Sequence, residues 1–348
     1  MKNFLFLILI VITTLTSCNK QEKGISNERI ITVSSPYGDH LITNYPILFI
    51  AKDGNGTDLT GQVNFFVNAQ VQSSNEIIFT QSGNYQITAQ LDIDGQNITS
   101  QVFNVQVSEP RHTTKILVED YTGTWCPNCP RVVYHLKQAV QQNNNIIPVA
   151  IHFSRWQGDD PFGFDNINTL IQDFNINAFP TPVINRTLGF FWDETYAQLE
   201  TELNKTQALG LAINSNVNAN NLNIEVNVRF DLNLTEPDLK LVVLLLENEL
   251  LADQVNSTSY YGGQNPIIDF EHNHTLREAL TGLYGVTIPA DKKLYNQTYT
   301  YTFNGTIPAN VVDIQNCEIV AFVIDESNHP GPLINIQSAP VESFQNFD

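Results

Sequence analysis

The chain has 348 residues, too many for one ordinary core, so its length suggests two or three domains. An apolar share of 42%, with 18 glycines and 16 prolines, is that of globular protein and excludes global disorder. The formal charge of −19, from 36 acidic against 17 basic residues, repels phosphate backbones; with no basic patch to reverse it locally, it argues against nucleic-acid binding.

The first residues give an address. Lys2 precedes an apolar run, 4–15, broken only by Thr13 and Thr14. The run is too short to span a bilayer and reads as the core of a signal peptide covering residues 1–17. It ends in Leu15-Thr16-Ser17-Cys18, which resembles the bacterial lipobox. The resemblance implies that Cys18 is acylated and becomes the mature N-terminus; the alternative is an ordinary signal peptide with an incidental cysteine. Residues 18–28 are then the lipidated cysteine and a polar tether. No later apolar stretch reaches spanning length, so lipid is the only membrane anchor expected. Of four cysteines, Cys18 is assigned to lipid, Cys126 and Cys129 form a pair, and Cys317 stands alone. So few cysteines in an exported chain argue against a disulfide-stapled scaffold, which makes the pair chemical rather than structural.

Residues 29–108 alternate or cluster apolar residues in short runs, with turn residues at 53–56, 82–84 and 94–95. This spacing suggests a β-sandwich of immunoglobulin-like type, and residues 82–89 are similar to a late strand of bacterial immunoglobulin-like modules. Asp53, Asn55 and Asp58 read as a hairpin turn rather than a calcium loop, since the bidentate glutamate is missing.

Residues 112–208 change character. A strand at 115–120 enters a loop, and 127–142 carries Val132, Val133, Leu136, Ala139 and Val140 at helical spacing. A buried strand at 146–152, a helix at 166–174, a strand at 182–185 and a helix at 193–204 complete an α/β pattern. Residues 209–348 return to strands at 222–228, 239–246, 298–303 and 318–324, interrupted by a helical or irregular segment at 274–283. They read as a second β-sandwich. The expected chain is thus multidomain: β-sandwich, α/β, β-sandwich.

The chemistry concentrates at Thr124-Trp125-Cys126-Pro127-Asn128-Cys129-Pro130, between a predicted strand and a predicted helix. At a helix N-terminus, unpaired N–H groups and the helix dipole stabilise a Cys126 thiolate. The two-residue spacer lets Cys129 close a disulfide with it. Pro127 suits the first helical turn, which needs no N–H bond there.

At three separated points these residues resemble thioredoxin: the Trp125-Cys126-x-x-Cys129 core, Asp120 six residues before Cys126, and Phe179-Pro180-Thr181. The resemblance implies that Cys126 is the nucleophile and Cys129 the resolving thiol. It implies that Asp120 assists proton transfer at Cys129, that Pro180 is cis, and that the backbone of Phe179 pairs with the substrate chain. The Pro127-Asn128 spacer departs from thioredoxin, and spacer residues tune the reduction potential. Pro130 is also unusual for thioredoxin, and Pro182 in a strand suggests an edge or a bulge. A narrower resemblance, carried by 116–130, 271–277 and 319–325, is to the twenty-eight-kilodalton outer-membrane lipoprotein family of Bacteroidota. It implies a thioredoxin-like core, a β-rich C-terminal region and residence at the outer membrane, with the membrane face left open.

Other polar residues have blander readings. His272 and His274 with Glu271 lack a third and fourth ligand, so a hydrogen-bonding role is preferred and no metal is expected. His135 and His152 read as structural, Cys317 as a buried inert thiol, and Trp156 and Trp192 as core or rim. Nothing resembles a nucleophile elbow. The leading function is thiol–disulfide exchange with thiols or disulfides of exported proteins, without a cofactor. The alternative is a non-enzymatic binding or adhesion lipoprotein that uses the fold as scaffold. Whether the exchange reduces, oxidises or isomerises is left open. Replacing Cys18→Ser should abolish incorporation of a fatty-acid analogue in labelled cells; wild-type labelling of that variant would refute the lipid assignment.

Overall fold

The computed structural model describes residues 30–93, 95–189 and 195–348. The signal peptide, Cys18, the tether and Trp192 lie outside the described residues. The chain is multidomain and mostly β, with three α-helices among the described residues.

Ten short strands, β1 (Ile31–Ser34) to β10 (Phe103–Ser108), build the N-terminal part. In β1, Ile31 and Val33 are buried while Thr32 and Ser34 face water, the pattern of a strand with one buried face. Strand Gly83–Ile93 runs antiparallel between β10 and strand Asn64–Val67. Phe49, Phe65, Phe79, Ile87 and Val105 fill the interior. The Asp53 carboxylate accepts from the N–H groups of Asn55 and Thr57, and Asp58 accepts from that of Thr60, so these groups close turns.

The middle of the chain runs β11 (Ile116–Thr122), α1 (Cys129–Gln142), β12 (Ile146–His152), α2 (Ile167–Asp173), β13 (Thr181–Ile184), β14 (Leu188–Gly189) and α3 (Thr195–Leu203). Then come β15 (Leu209–Asn218), β16 (Asn221–Phe230), β17 (Leu239–Glu247), β18 (Leu250–Gln254), β19 (Ile267–His272) and β20 (Thr275–Ala279). The chain ends with β21 (Val286–Thr287), β22 (Thr298–Thr306), β23 (Cys317–Asp325), β24 (Leu333–Pro340) and β25 (Phe344–Gln345).

One sheet crosses from the middle region into the C-terminal region. Its order is β14-β13-β11-β12-β20-β17-β23-β24, with β21 also on β17. Strands β11, β12 and β20 are mutually parallel in sequence across the sheet, and β17 is antiparallel to both its neighbours. Along β17, Leu241, Val243 and Leu245 face one core while Val242, Leu244 and Leu246 face another. Along β23, Ile319, Ala321 and Val323 alternate with Val320, Phe322 and Ile324 in the same way. Burial on both faces is why these runs are almost wholly apolar. Helix α2 covers one face through Ile167 and Leu170. On the other face, Leu136 of α1 and Leu199 of α3 pack on Ile116 and Val118 of β11. Beside them a four-stranded sheet, β22-β16-β15-β25, packs on β17 and β23.

Two local expectations change. Residues 275–279, read as helical or irregular, form β20 in the middle of the large sheet. Thr-Leu-Arg-Glu-Ala carries no strand signature, and its Arg277 is buried only because Glu247 of β17 faces it, Nε–Oε2 3.1 Å. Helix α1 begins at Cys129, with Asn128 as its N-cap and Pro130 in its first turn; Pro127 therefore lies in the preceding turn. Pro182 sits opposite Asp120 of β11, beyond the part of β13 that pairs with β14, so its missing N–H breaks no ladder bond there.

A buried ion pair ties the middle strands to a C-terminal loop. The Arg186 guanidinium donates to Glu119 Oε1 at 2.9 and 3.2 Å and to the Leu283 carbonyl at 2.8 Å. Both charged side chains are about fully buried, 2% and 1% exposed. Arg186→Met should cost about 3–5 kcal/mol, because it leaves the Glu119 carboxylate buried without its cation. A denaturant midpoint unchanged from wild type would refute this.

Candidate functional site

Strand β11 ends at Thr122 and the chain turns twice before α1. The Cys126 N–H donates to Gly123 O at 3.0 Å, and the Cys129 N–H to Cys126 O at 3.3 Å. These turns bring the two cysteines together in a disulfide, Sγ–Sγ 2.12 Å with Cα atoms 5.4 Å apart. Gly123 is required: a Cβ there would lie 2.7 Å from Trp125 Nε1. That indole nitrogen donates to Phe153 O at 2.7 Å. The Trp125 ring meets Phe179 edge-on at 5.5 Å, and Phe153 stacks on Phe179 at 5.2 Å. Arg155 lies over Trp125 at 4.2 Å. The Phe179–Pro180 peptide is cis, and Thr181 Oγ1 donates to Ala178 O at 2.7 Å. The structure thus gathers Trp125, Cys126, Phe179, Pro180 and Thr181 around one end of the sheet.

Asp120 points from β11 into a cavity of about 470 Å³ between the sheet and α1, beside Val133 and Leu136. It is 2% exposed, and its Oδ1 has no hydrogen-bond partner among the described residues. Burial pushes its carboxyl up to about 7, because the charged form loses its hydration.

Two supports of the cysteine turn were not apparent in the sequence. The first is Asp160. It accepts from Thr124 N–H at 2.7 Å, from Phe162 N–H at 2.9 Å, and pairs with His152 Nδ1 at 3.0 Å. Burial works to raise its pKa, but the hydrogen bonds from His152, Thr124 and Phe162 outweigh it and leave it lowered. The second is the β18–β19 hairpin. Its connecting segment crosses the cysteine turn: Val255 N–H donates to Thr124 O at 2.9 Å, and Ser257 N–H to Pro127 O at 2.8 Å. Gln254 Nε2 donates to Cys126 O at 2.9 Å. Each cysteine is only 1% exposed.

The histidines separate. His135 bonds the Tyr260 hydroxyl at 2.9 Å. The His272 ring lies 5.2 Å from that of His152, and burial first, then His152, lowers its pKa to about 3. His274 turns instead to Glu318 at 2.7 Å, and Glu271 accepts from Asn273. His272 ends β19 while His274, at φ 55°, lies in the turn before β20, so the turn and not strand alternation parts the two imidazoles. Cys317 is a free, buried thiol whose pKa burial, reinforced by Glu247, pushes up to about 12.

The sequence profile of the family described as Outer membrane protein Omp28 matches residues 167–345, just over half the chain. The chain belongs to the Omp28 family. Membership assigns it to the outer membrane of the cell envelope, as a lipoprotein. No helix among the described residues is long and apolar enough to cross a membrane. The matched span starts in α2, so it includes the hairpin but not Cys126 and Cys129. The chain is also 24% identical over 108 residues to thioredoxin H5 of Arabidopsis thaliana, covering 29% of this chain and 82% of that protein. Among solved structures, HBP35 of Porphyromonas gingivalis is similar in fold, with TM-score 0.55 and 15% identity over 68% of this chain and 77% of that one. A domain of the outer membrane lipoprotein Omp28 from Porphyromonas gingivalis aligns at TM-score 0.25 and 16% identity, over 39% of this chain and 88% of that one. The similarity to thioredoxin and the bonded cysteines fit a thioredoxin-like scaffold.

The Asp120 carboxyl carries a stability consequence. Its pKa in the folded protein is raised, so below about pH 4 it is protonated in both folded and unfolded chains. Between pH 4 and 7 the unfolded chain releases the proton and the folded chain keeps it, so stability falls as pH rises. Above pH 7 the loss is complete, on the order of 4 kcal/mol. Asp120→Asn does not titrate. Its stability relative to wild type should therefore climb from pH 4 to 7 and then level off; a pH-independent difference would show that Asp120 titrates normally.

Proposed function

We propose that this lipoprotein is a thiol–disulfide oxidoreductase acting on exported proteins through Cys126 and Cys129. The reading includes a thioredoxin-like middle region, 112–208, flanked by an immunoglobulin-like sandwich, 29–108, and a C-terminal β-sandwich, 209–348. The observation that carries it is the buried carboxyl of Asp120, with pKa near 7, on the strand that leads into the bonded pair. A crosslink that only holds two turns together has no use for a buried group that exchanges protons at neutral pH.

In the reducing direction, the Cys126 thiolate attacks one sulfur of a substrate disulfide. A Cys126–substrate bond forms, the substrate S–S bond breaks, and the other substrate sulfur leaves as a thiolate that takes a proton from solvent. Cys129, whose proton passes to Asp120, then attacks Cys126 Sγ. The intramolecular disulfide forms and the second substrate thiol is released. Two electrons pass to the substrate, and the reverse sequence oxidises a dithiol. The backbone of Phe179 before cis-Pro180, with Thr181 beside it, holds the substrate chain, and Trp125 packs against it. The chemistry uses thiols alone and needs no cofactor.

A second reading has one observation in its favour. Both cysteines are buried, and the segment after β18 bonds the turn that carries them, which suits a binding or adhesion lipoprotein whose disulfide is a static crosslink. The two readings differ in covalent partners. Cys129→Ser, purified from its own cell envelope after acid quench, should carry mixed disulfides on Cys126 that Cys126→Ser largely lacks. Asp120→Asn should slow release of the trapped partner more than its capture. No mixed disulfides in either cysteine variant, in an envelope that contains disulfide-bonded proteins, would favour the static crosslink.

A further inference from the structure

Residues 254–260 hold the cysteine turn from outside. Gln254 is 3% exposed, and its amide reaches three carbonyls: Cys126 at 2.9 Å, Val255 at 3.0 Å and Gly123 at 3.3 Å. Val255 and Ser257, two residues apart, direct their N–H groups at Thr124 O and Pro127 O, as an extended chain laid across the turn does. The Ser257 hydroxyl adds contacts to Pro127 O and Asn128 Oδ1, both at 3.2 Å. Tyr260 fixes the far end, with its hydroxyl on His135 and its ring 4.6 Å from that of Tyr134, both residues of α1.

The crossing is also braced within itself. Asn256 donates to the carbonyls of Tyr260 and Gln264 and accepts from the N–H and hydroxyl of Thr258. These bonds fix the shape of the loop from within. Its attachment to the turn is polar, made of a few hydrogen bonds whose partners can bond to water once apart, so each contributes little net free energy. A sulfur nucleophile, however, needs physical access to the disulfide sulfur it attacks. The buried cysteines and the weakly held cover are therefore two parts of one arrangement.

We propose that residues 254–260 form a strap that gates the cysteine pair, with Gln254 as the positioning residue that latches it, so that exchange at Cys126 takes place only when the strap lifts. The role in protein exchange rests on the oxidoreductase reading above, but the gate itself is tested with a small dithiol. When dithiothreitol reduces the pair, its two thiols become a cyclic disulfide, and two electrons and two protons pass to Cys126 and Cys129. The rate in the full-length chain is read by acid quench, alkylation and mass spectrometry.

The pair in the wild-type protein should be reduced at least tenfold more slowly than in the same protein unfolded in denaturant. Gln254→Ala should speed reduction of the folded protein at least tenfold. Amide hydrogen exchange at Val255 and Ser257 should rise by a similar factor, which a general loosening of the fold would not confine to those two sites. Ser257→Ala, on an exposed face, removes only the hydroxyl contacts and should speed reduction two- to fivefold; it decides the matter if Gln254→Ala fails to fold. Reduction within twofold of wild type in the folded variants, or wild-type reduction as fast as in the unfolded protein, would overturn the gate. Fast reduction of the variants, with no mixed disulfides on Cys126 in cells when Cys129→Ser is added to them, would instead sink the oxidoreductase reading and leave the strap standing.

Discussion

Strands β17 and β23 are buried on both faces, and most of the architecture follows from the need to cover them. A strand with apolar residues on alternate sides has two surfaces to remove from water, each worth roughly 25 cal/mol per Å² buried. The chain meets this with different layers. The β22-β16-β15-β25 sheet takes one face, and α2 together with β11 and β12 of the same sheet completes the core on the other. One sheet thereby serves two cores, and the middle and C-terminal regions share it.

That sharing brings the C-terminal region to the cysteines. Ala150 of β12 pairs with Thr275, which also pairs with Glu247 of β17. The chain between Glu247 and Thr275 must therefore leave and re-enter the sheet at the end where β11 and β12 finish. Strand β11 runs into the Cys126 turn at that same end, and β12 leads to Phe153 and Arg155, which pack on Trp125. A hairpin inserted between β17 and β20 thus projects over the cysteine turn by topology. Carboxyl ends of parallel strands are where α/β sheets commonly place their sites. Here one wall of that place comes from outside the strand–helix–strand unit itself.

How legible each part was depends on where its partners lie in sequence. The strand before Cys126 and the helix after it announce themselves locally, through an apolar run, a Cys-x-x-Cys and prolines near a helix start. Strands β17 and β23 were legible because burial on both faces writes a continuous apolar run. Strand β20 was not, since Arg277 is acceptable inside only beside Glu247, thirty residues earlier in the chain. The same holds for the supports of the cysteine turn. Asp160 and Gln254 act through backbone groups of Thr124 and Cys126, and a bond to backbone leaves no mark on the partner's identity. Side-chain pairs such as Arg186 with Glu119 leave two marks, but nothing in a single sequence says which charges are paired.

The hairpin and the Asp120 carboxyl are also linked energetically. Gln254, Phe270 and His272 of the hairpin line the cavity that holds Asp120, opposite Lys137 and Leu136 of α1. Burial raises the pKa of Asp120, and hairpin side chains are among the walls of the cavity it faces. On the proposed gate, lifting residues 254–260 would take Gln254 out of the cavity wall and admit water, and water favours the charged carboxylate. By linkage, whatever stabilises the ionised carboxylate would also favour the lifted strap, and to the same extent. With the strap closed, burial holds the Asp120 pKa up at about 7; with it open, hydration would lower that pKa, so the group would give up its proton more readily and be a weaker base. On the proposed gate, access to the cysteines and the acidity of Asp120 would be coupled through a single displacement, although the groups involved lie more than a hundred residues apart in the chain.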